Sequence, residues 1–162
     1  SPRTMPTNLT NDYIRGLVDG EGSFGFESSQ IFMSDGRVGK RKIPSFRIQM
    51  HERDELLLWS IKNSLGLRNK IYKYGPYQGD GIKRGKQVVL AVRDLGQLKN
   101  IIIPLFYGRL IGHKRNQFIV WLEKIGTDPE VAEFYRILYH LHLTGYFKRE
   151  LSKGGLFEEF IN

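Results

Sequence analysis

The sequence contains no cysteine among its 162 residues. A disulfide framework and a zinc site with cysteine ligands are therefore excluded, and the absence is compatible with a reducing compartment. No stretch reaches the roughly 18 consecutive apolar residues of a transmembrane helix. The amino-terminal residues also lack the apolar core of a signal peptide. We therefore expect neither a membrane partner nor secretion.

Acidic residues are also relatively few, because 17 Asp and Glu face 25 Lys and Arg and leave a net charge of +8. Such an excess favours a polyanionic partner, since each phosphate contact releases counterions from the polyanion. The alternative is that the charge serves solubility alone, as in many basic proteins that bind no nucleic acid. The length fits one domain over residues 1–162 with a substantial core.

The first half of the chain predicts a helix, a long hairpin and a second helix. Apolar residues at helical spacing between residues 9 and 18 indicate the first helix, and the alternation of Phe24 and Phe26 with Gly25 and Glu27 indicates a strand. A turn or loop over residues 34–42 should lead to a second strand over residues 43–51. In that strand one face carries Phe46, Ile48 and Met50, and the other carries Ser45, Arg47, Gln49 and His51. A helix follows over about residues 54–65, with Gly66 as its stop.

The second half predicts another hairpin and then helices only. Its strands are expected over residues 70–74 and 86–93, joined by a glycine-rich loop. Asp94 is a favourable cap for a third helix that Pro104 should end. A fourth helix is expected over about residues 114–125, stopped by Gly126, and Asp128-Pro129-Glu130 should open a fifth. Trp121, Phe134 and Leu138 are expected in the core. The order predicts an α+β fold with an antiparallel sheet covered by helices on one face.

Two carboxylates lie where the first helix should give way to the first strand. Asp19 and Glu21 are interleaved with glycines, and acids at such a junction make a plausible metal site. Gly16 and Gly20 are four residues apart, so they share one helix face and leave room for a second helix backbone. Because a glycine inside a helix costs about 1 kcal/mol relative to alanine, Gly16 suggests a packing reason.

The same stretch, YIRGLVDGEGS, resembles the motif of the LAGLIDADG homing endonucleases, with the motif positions on residues 14–22. The order of elements is similar to the family's αββαββα core with its saddle-like sheet, over roughly residues 8–124. Residues 127–162 would then form a carboxyl-terminal helical extension. Arg15 departs from the pattern, because the family usually has a small residue there. A small residue suits close helix packing, and a bulky cation is compatible with such packing only where it points outward or pairs with an acid.

The resemblance implies a site-specific DNA endonuclease. The motif helix of the family packs against a second copy, and this chain has one motif, so a homodimer is implied. Its interface would include Tyr13, Gly16, Leu17 and Gly20. Cleavage of a long, pseudo-palindromic double-stranded DNA across the minor groove would leave 3′ overhangs. The setting implied is intron homing inside a prokaryotic cytoplasm or an organelle, with no small-molecule substrate.

The family's metal-binding acid corresponds to Glu21, with the backbone carbonyl of Gly20 beside it. Hard oxygen ligands suit Mg²⁺ or Mn²⁺, and Ca²⁺ is expected to bind without supporting cleavage. Asp19 is expected to have a structural hydrogen-bonding role. The family often adds a lysine after the third helix and a polar residue from the second strand, which favours Lys114 and Gln49 as further catalytic residues. Each of these two has the alternative of a simple phosphate contact.

A two-stranded ribbon fits the DNA major groove, where arginine reads guanine and glutamine reads adenine. Basic, polar and aromatic residues on the two hairpins are therefore predicted to bind DNA: Lys40, Arg41, Lys42, Arg47, Gln49, Lys70, Tyr72, Lys73, Tyr74, Lys83, Arg84 and Lys86. Individually, each is as compatible with a solvated surface charge. An RNA-binding intron maturase, or a DNA-binding regulator without cleavage, remains the alternative function.

Overall fold

The alternation predicted for the second strand organises the observed fold. The structure, a computed structural model, describes residues 8–75 and 85–150. Phe46 and Ile48 are completely buried and Met50 nearly so, whereas Gln49 between them is exposed. One side of this strand therefore faces the core, and the other side faces away from it. Both the α+β class and the αββαββα order are confirmed.

Four antiparallel strands form one sheet in the order β1-β2-β4-β3. The strands are β1 (Gly22–Phe32), β2 (Val38–His51), β3 (Ile71–Tyr74) and β4 (Gln87–Val92). The strand β2 begins five residues earlier than predicted, because β1 continues to Phe32, which pairs with Val38. Lys40, Arg41 and Lys42 therefore lie within the strand instead of in its turn.

The helices lie on one side of this sheet. They are α1 (Asn11–Glu21), α2 (Glu55–Leu65), α3 (Leu95–Gln97), α4 (Ile103–Phe106), α5 (His113–Thr127), α6 (Arg136–Leu143) and α7 (Tyr146–Glu150). Short 3₁₀ turns precede α2 and α6 over Glu52–Asp54 and Glu133–Tyr135. The core between the layers centres on an aromatic cluster in which Phe24 contacts Phe46, Phe106, Phe118 and Trp121 at ring-centroid distances of 5.0–5.6 Å.

Local signals fixed two helix ends correctly. Gly66 adopts a left-handed φ of 69° at the end of α2, which only glycine does at little cost. Asp94 caps α3 through a bond from the Gln97 amide. Pro104, in contrast, does not end the third helix, which continues to Phe106. A wider π-helical turn over Leu98–Ile102 precedes the proline, and such a turn accommodates its missing N–H donor.

Three further predictions toward the carboxyl end were wrong. Gly126 lies inside α5, where a Cβ atom would come within 1.9 Å of the Tyr139 ring, so the glycine permits close packing. Asp128-Pro129-Glu130 does not open a helix, because this segment bonds to Lys42. The Lys42 amide donates to the Glu130 carbonyl, and the Lys42 carbonyl accepts from the Ala132 amide. Helical structure therefore resumes only at Glu133, and Phe134 is exposed instead of buried.

Candidate metal site and nucleic-acid interface

The junction between α1 and β1 leaves the side chain of Glu21 exposed. Thr10 caps the start of α1 by accepting from the Tyr13 amide at 3.1 Å. The helix ends at Glu21 and β1 starts immediately at Gly22, where a Cβ atom would lie 2.7 Å from the Val18 side chain. This abrupt turn leaves Glu21 exposed, and no residue within 8–75 or 85–150 bonds to its carboxylate. Glu21 is thus available to an external ligand.

Asp19 has a different environment from Glu21. Its two carboxylate oxygens accept from the backbone amides of Ile111 and Gly112, at 3.4 and 3.3 Å. These amides immediately precede α5, so Asp19 ties the end of α1 to the start of α5. The predicted structural role of Asp19 is confirmed. The same contact brings the first turn of α5, with half-buried Lys114, beside the α1–β1 junction.

Gln49 approaches the junction from the sheet. Gly22 pairs with Ile48, and Gln49 is the next residue along β2, with an exposed side chain on the uncovered side. Three elements therefore converge on the end of α1: the helix itself with Glu21, β2 with Gln49, and α5 with Lys114. These are the three residues that the sequence predicted as catalytic, and their roles stay predictions.

The helix α1 has one face in the core and one face uncovered. Ile14 and Val18 are completely buried, whereas Tyr13 and the two glycines, Gly16 and Gly20, are exposed and Leu17 is half-buried. Cβ atoms built on Gly16 and Gly20 would meet no atom within 4 Å. No described part of this chain therefore packs closely against these glycines. The face is available to another helix.

Arg15, the departure from the motif, points into the protein. It is only 9% exposed, and its Nε donates to the carbonyl oxygen of Leu105 at 2.7 Å. Its guanidinium also pairs with Asp12 at 3.0 Å. The long side chain thus fastens α1 to α4 without entering the uncovered face.

The side of the sheet away from the helices carries a polar groove of about 290 Å³. Strand alternation places the odd-numbered residues of β2 here, and β3 contributes Tyr72 and Tyr74 opposite Val89 and Gln87. The groove is lined by Glu27, Arg47, Asn69, Lys70, Tyr72, Tyr74, Val89, Ala91 and Arg93. Four residues predicted to bind DNA, Arg47, Lys70, Tyr72 and Tyr74, are therefore brought together.

Other predicted DNA-binding residues do not lie in this groove. Lys42 bonds to Asp128 at 2.8 Å and pairs with Glu130 at 3.4 Å. Lys73 bonds to Glu55 of α2 at 2.8 Å. Both lysines lie on the helical side and are engaged with acids, which raise the pKa of each amine. Lys40 and Lys86 are exposed and Arg41 is half-buried, whereas Lys83 and Arg84 lie outside the described residues.

The sequence prediction missed two charged residues of the groove, Glu27 and Arg93. Glu27 accepts a bond from Arg93 at 2.8 Å and lies 3.8 Å from the Arg47 guanidinium. The alternation along β1 that placed Phe24 and Phe26 on the core side also places Glu27 on the opposite side, so the signal was present.

Histidine gives no metal site here: His51 accepts from the Arg53 amide, and residues 8–75 and 85–150 contain no group of three potential metal-binding side chains.

Together these observations define a class: an α+β protein whose antiparallel sheet is covered by helices on one side and presents arginines and tyrosines on the other. The LAGLIDADG endonuclease family model matches residues 14–125, which is more than half of the sequence. The chain therefore belongs to the LAGLIDADG endonuclease family. None of its described helices is long and apolar enough to cross a bilayer.

Solved structures of family members are similar to this chain. The I-LtrWI homing endonuclease bound to target DNA is 31% identical over 71% of this chain and 36% of its own, with a TM-score of 0.57. The homing endonuclease I-TnaI is 26% identical over 90% of this chain and 83% of its own, with a TM-score of 0.55. I-SmaMI, bound to uncleaved DNA in the presence of calcium ions, is 25% identical over 87% of this chain and 48% of its own, with a TM-score of 0.56. The chain thus spans about a third to a half of two of these relatives.

Proposed function

We propose that the protein is a homodimeric, site-specific DNA endonuclease that uses divalent metal ions to cut both strands of a long, pseudo-palindromic duplex. The observation that carries this proposal is the exposed carboxylate of Glu21 at the end of the motif helix, to which none of the described residues bonds. A splicing cofactor or a DNA-binding regulator does not need such an acid. DNA-bound relatives with the same fold support the choice of substrate.

The uncovered face of α1 supports the homodimer. Two copies that pack through Gly16 and Gly20 would bring their helix ends close to a two-fold axis, and with them the two Glu21 side chains. Two identical groove surfaces would then read two half-sites, which requires a pseudo-palindromic target. The DNA-contacting residues would include Arg47, Gln49 and Tyr72.

The residues present at the junction suit a magnesium or manganese ion that keeps part of its water shell. Each chain offers the carboxylate of Glu21 and the backbone carbonyl of Gly20 beside it, and such sparse oxygen ligands leave positions for water and for phosphate oxygens. When bound, the ions supply an activated water and stabilise charge on the leaving oxygen. Calcium in a relative's complex with uncleaved DNA is compatible with a site for hard divalent ions.

The side chains around Glu21 would position the substrate. Lys114 lies in the first turn of α5, where its ammonium group is a point charge that suits a phosphate. Gln49 can donate a hydrogen bond to a water or to a base edge at the same place. Asp19 is occupied by the amides of Ile111 and Gly112, so it would hold the geometry without touching the scissile phosphate.

The test is Glu21→Gln on the purified protein, with a plasmid library that carries candidate target sites and Mg²⁺. We expect the wild type to linearise some plasmids, and the variant to bind the same plasmids without cutting them. Glu123→Gln, which removes an exposed acid from α5, should cut as the wild type does. If the wild type binds duplex DNA and never cuts it with Mg²⁺ or Mn²⁺, the proposed endonuclease activity is refuted. Preferential binding of intron RNA would then favour the maturase.

A further inference from the structure

The carboxylate of Glu27 lies within the polar groove of the sheet, and each of its oxygens has a separate partner. Its Oε2 accepts from an Nη of Arg93 at 2.8 Å, and its Oε1 accepts from the Ser45 hydroxyl at 3.3 Å. The Arg47 guanidinium lies 3.8 Å from Oε1. The Glu27 side chain is only 26% exposed, and an acid held in this way has a fixed orientation.

The two arginines differ in how firmly Glu27 holds them. Arg93 makes a direct charge-assisted hydrogen bond, which is shorter and stronger than a neutral one. Arg47 is beyond hydrogen-bond distance, so Glu27 attracts its guanidinium but leaves the donors free toward the groove. The side chains of Arg47 and Arg93 are 40% and 56% exposed, so both remain accessible from the groove.

Other polar residues in the groove are less suited to reading bases. Asn69 donates to the carbonyl of Ala91 at 2.9 Å and accepts from Gln97 at 2.7 Å, so its amide group is already engaged. Lys70 is a flexible point charge, which suits a phosphate better than a base edge. A guanidinium in a fixed orientation, in contrast, matches the two acceptors on the major-groove edge of guanine.

We propose that Glu27 is a positioning residue for base readout, which holds Arg93 and orients Arg47 so that the pair reads guanine. This inference rests on the proposed function, because it requires duplex DNA in the groove. The carboxylate repels phosphates, so it reserves the two arginines for base edges instead of the DNA backbone. The three side chains together carry a charge of +1, which weakens non-specific attraction at this point of the surface.

The test compares the sequences that four proteins select from a randomised duplex library, bound without divalent ions. The proteins are the wild type, Glu27→Gln, Arg93→Gln and the charge-matched control Glu123→Gln. Glutamine at position 27 keeps the side-chain volume and an oxygen that can accept from Ser45, so the fold is expected to persist. Circular dichroism checks that each variant is folded.

We expect the wild type and Glu123→Gln to enrich the same motif, with guanine at fixed positions of each half-site. Glu27→Gln and Arg93→Gln should both lose roughly tenfold or more of the discrimination at the same positions, since one bidentate contact is worth about that much. Glu27→Gln should also bind non-specific DNA with a steeper salt dependence, by about 0.9 in the log–log slope for each phosphate gained.

Three results would overturn the inference. If Glu27→Gln selects the same motif as the wild type, Glu27 has no positioning role, although the proposed function still stands. If Glu27→Gln does not fold, an unchanged motif with Arg93→Gln has the same meaning. Loss of discrimination with Arg93→Gln at base positions that Glu27→Gln leaves unchanged would separate the two residues and have the same meaning. A wild type that enriches no duplex sequence would overturn both this inference and site-specific recognition, and the Glu21→Gln experiment tests cleavage separately.

Discussion

Replacing Arg15 with methionine should destabilise the protein although the motif helix stays intact. Methionine is long and unbranched, so it can occupy most of the volume of the arginine stem. It cannot donate to the Leu105 carbonyl, which now receives the Arg15 Nε at 2.7 Å. The perturbation therefore removes the bond to Leu105 and the ion pair with Asp12, with little change in packing.

The magnitude follows from these two contacts. A hydrogen bond that involves a charged group contributes about 1.5–3 kcal/mol to stability. The Asp12 carboxylate is 60% exposed, so its ion pair is worth at most about 1 kcal/mol. We therefore expect Arg15→Met to lower the free energy of unfolding by about 2–3 kcal/mol. Asp12→Asn, which removes the ion pair alone, should cost no more than about 1 kcal/mol.

Urea unfolding followed by far-ultraviolet circular dichroism measures the free energy of unfolding of the wild type and both variants. All samples are kept at one protein concentration, because dissociation of a dimer would contribute to the transition. With a slope of about 2 kcal/mol per molar urea, the midpoint of Arg15→Met should fall by about 1 M or more. A midpoint no lower than that of Asp12→Asn would refute the reasoning. It would mean that the Leu105 bond contributes nothing and that Arg15 is tolerated for another reason.

Two further predictions concern the Lys42 contact and the uncovered face of α1. The bond from Lys42 lowers the pKa of Asp128, so the stability from this pair is present above the unfolded-state pKa of about 4 and is lost as pH falls through the lower folded-state value. The melting temperature of Asp128→Asn should thus differ from the wild type by a constant amount between about pH 5 and 8, and the difference should shrink in acid; a difference that persists at pH 2 would contradict this. Gly16→Leu should leave the circular dichroism spectrum unchanged, because its Cβ meets nothing within 4 Å, but should give a monomer by light scattering. A dimer as stable as that of the control Glu123→Leu would place the interface elsewhere.

The sequence was sufficient where a few neighbouring residues decide the structure. The motif at residues 14–22 identified the family, and alternation along β2 correctly separated the buried face from the polar face. Gly66 and Asp94 marked a helix end and a helix start, because a positive φ and a capping carboxylate act over one turn. The order of helices and strands followed from such local patterns.

Local patterns misled where a distant residue competes for the same groups. Asp128-Pro129-Glu130 has the composition of a helix start, but Lys42, 86 residues away, takes the Asp128 carboxylate and holds this segment through its backbone. The contact between Lys73 and Glu55 on the helical side was likewise not visible in the sequence, and DNA binding by Lys73 stays a prediction. The helix propensity of a short segment does not show whether its polar groups bond to neighbouring residues or to a distant one. Only the fold determines which of these partners is within reach.

Tertiary structure alone decided the contacts of Arg15 and Glu27. Arg15 bonds to a carbonyl 90 positions along the chain, and Glu27 to a guanidinium 66 positions away. By itself the sequence determined that a carboxylate, Glu21, would lie where the motif helix gives way to the first strand. Folding determined that this carboxylate is exposed, with no bond to a residue that the structure describes, and that Asp19 accepts from the amides of Ile111 and Gly112 just before α5.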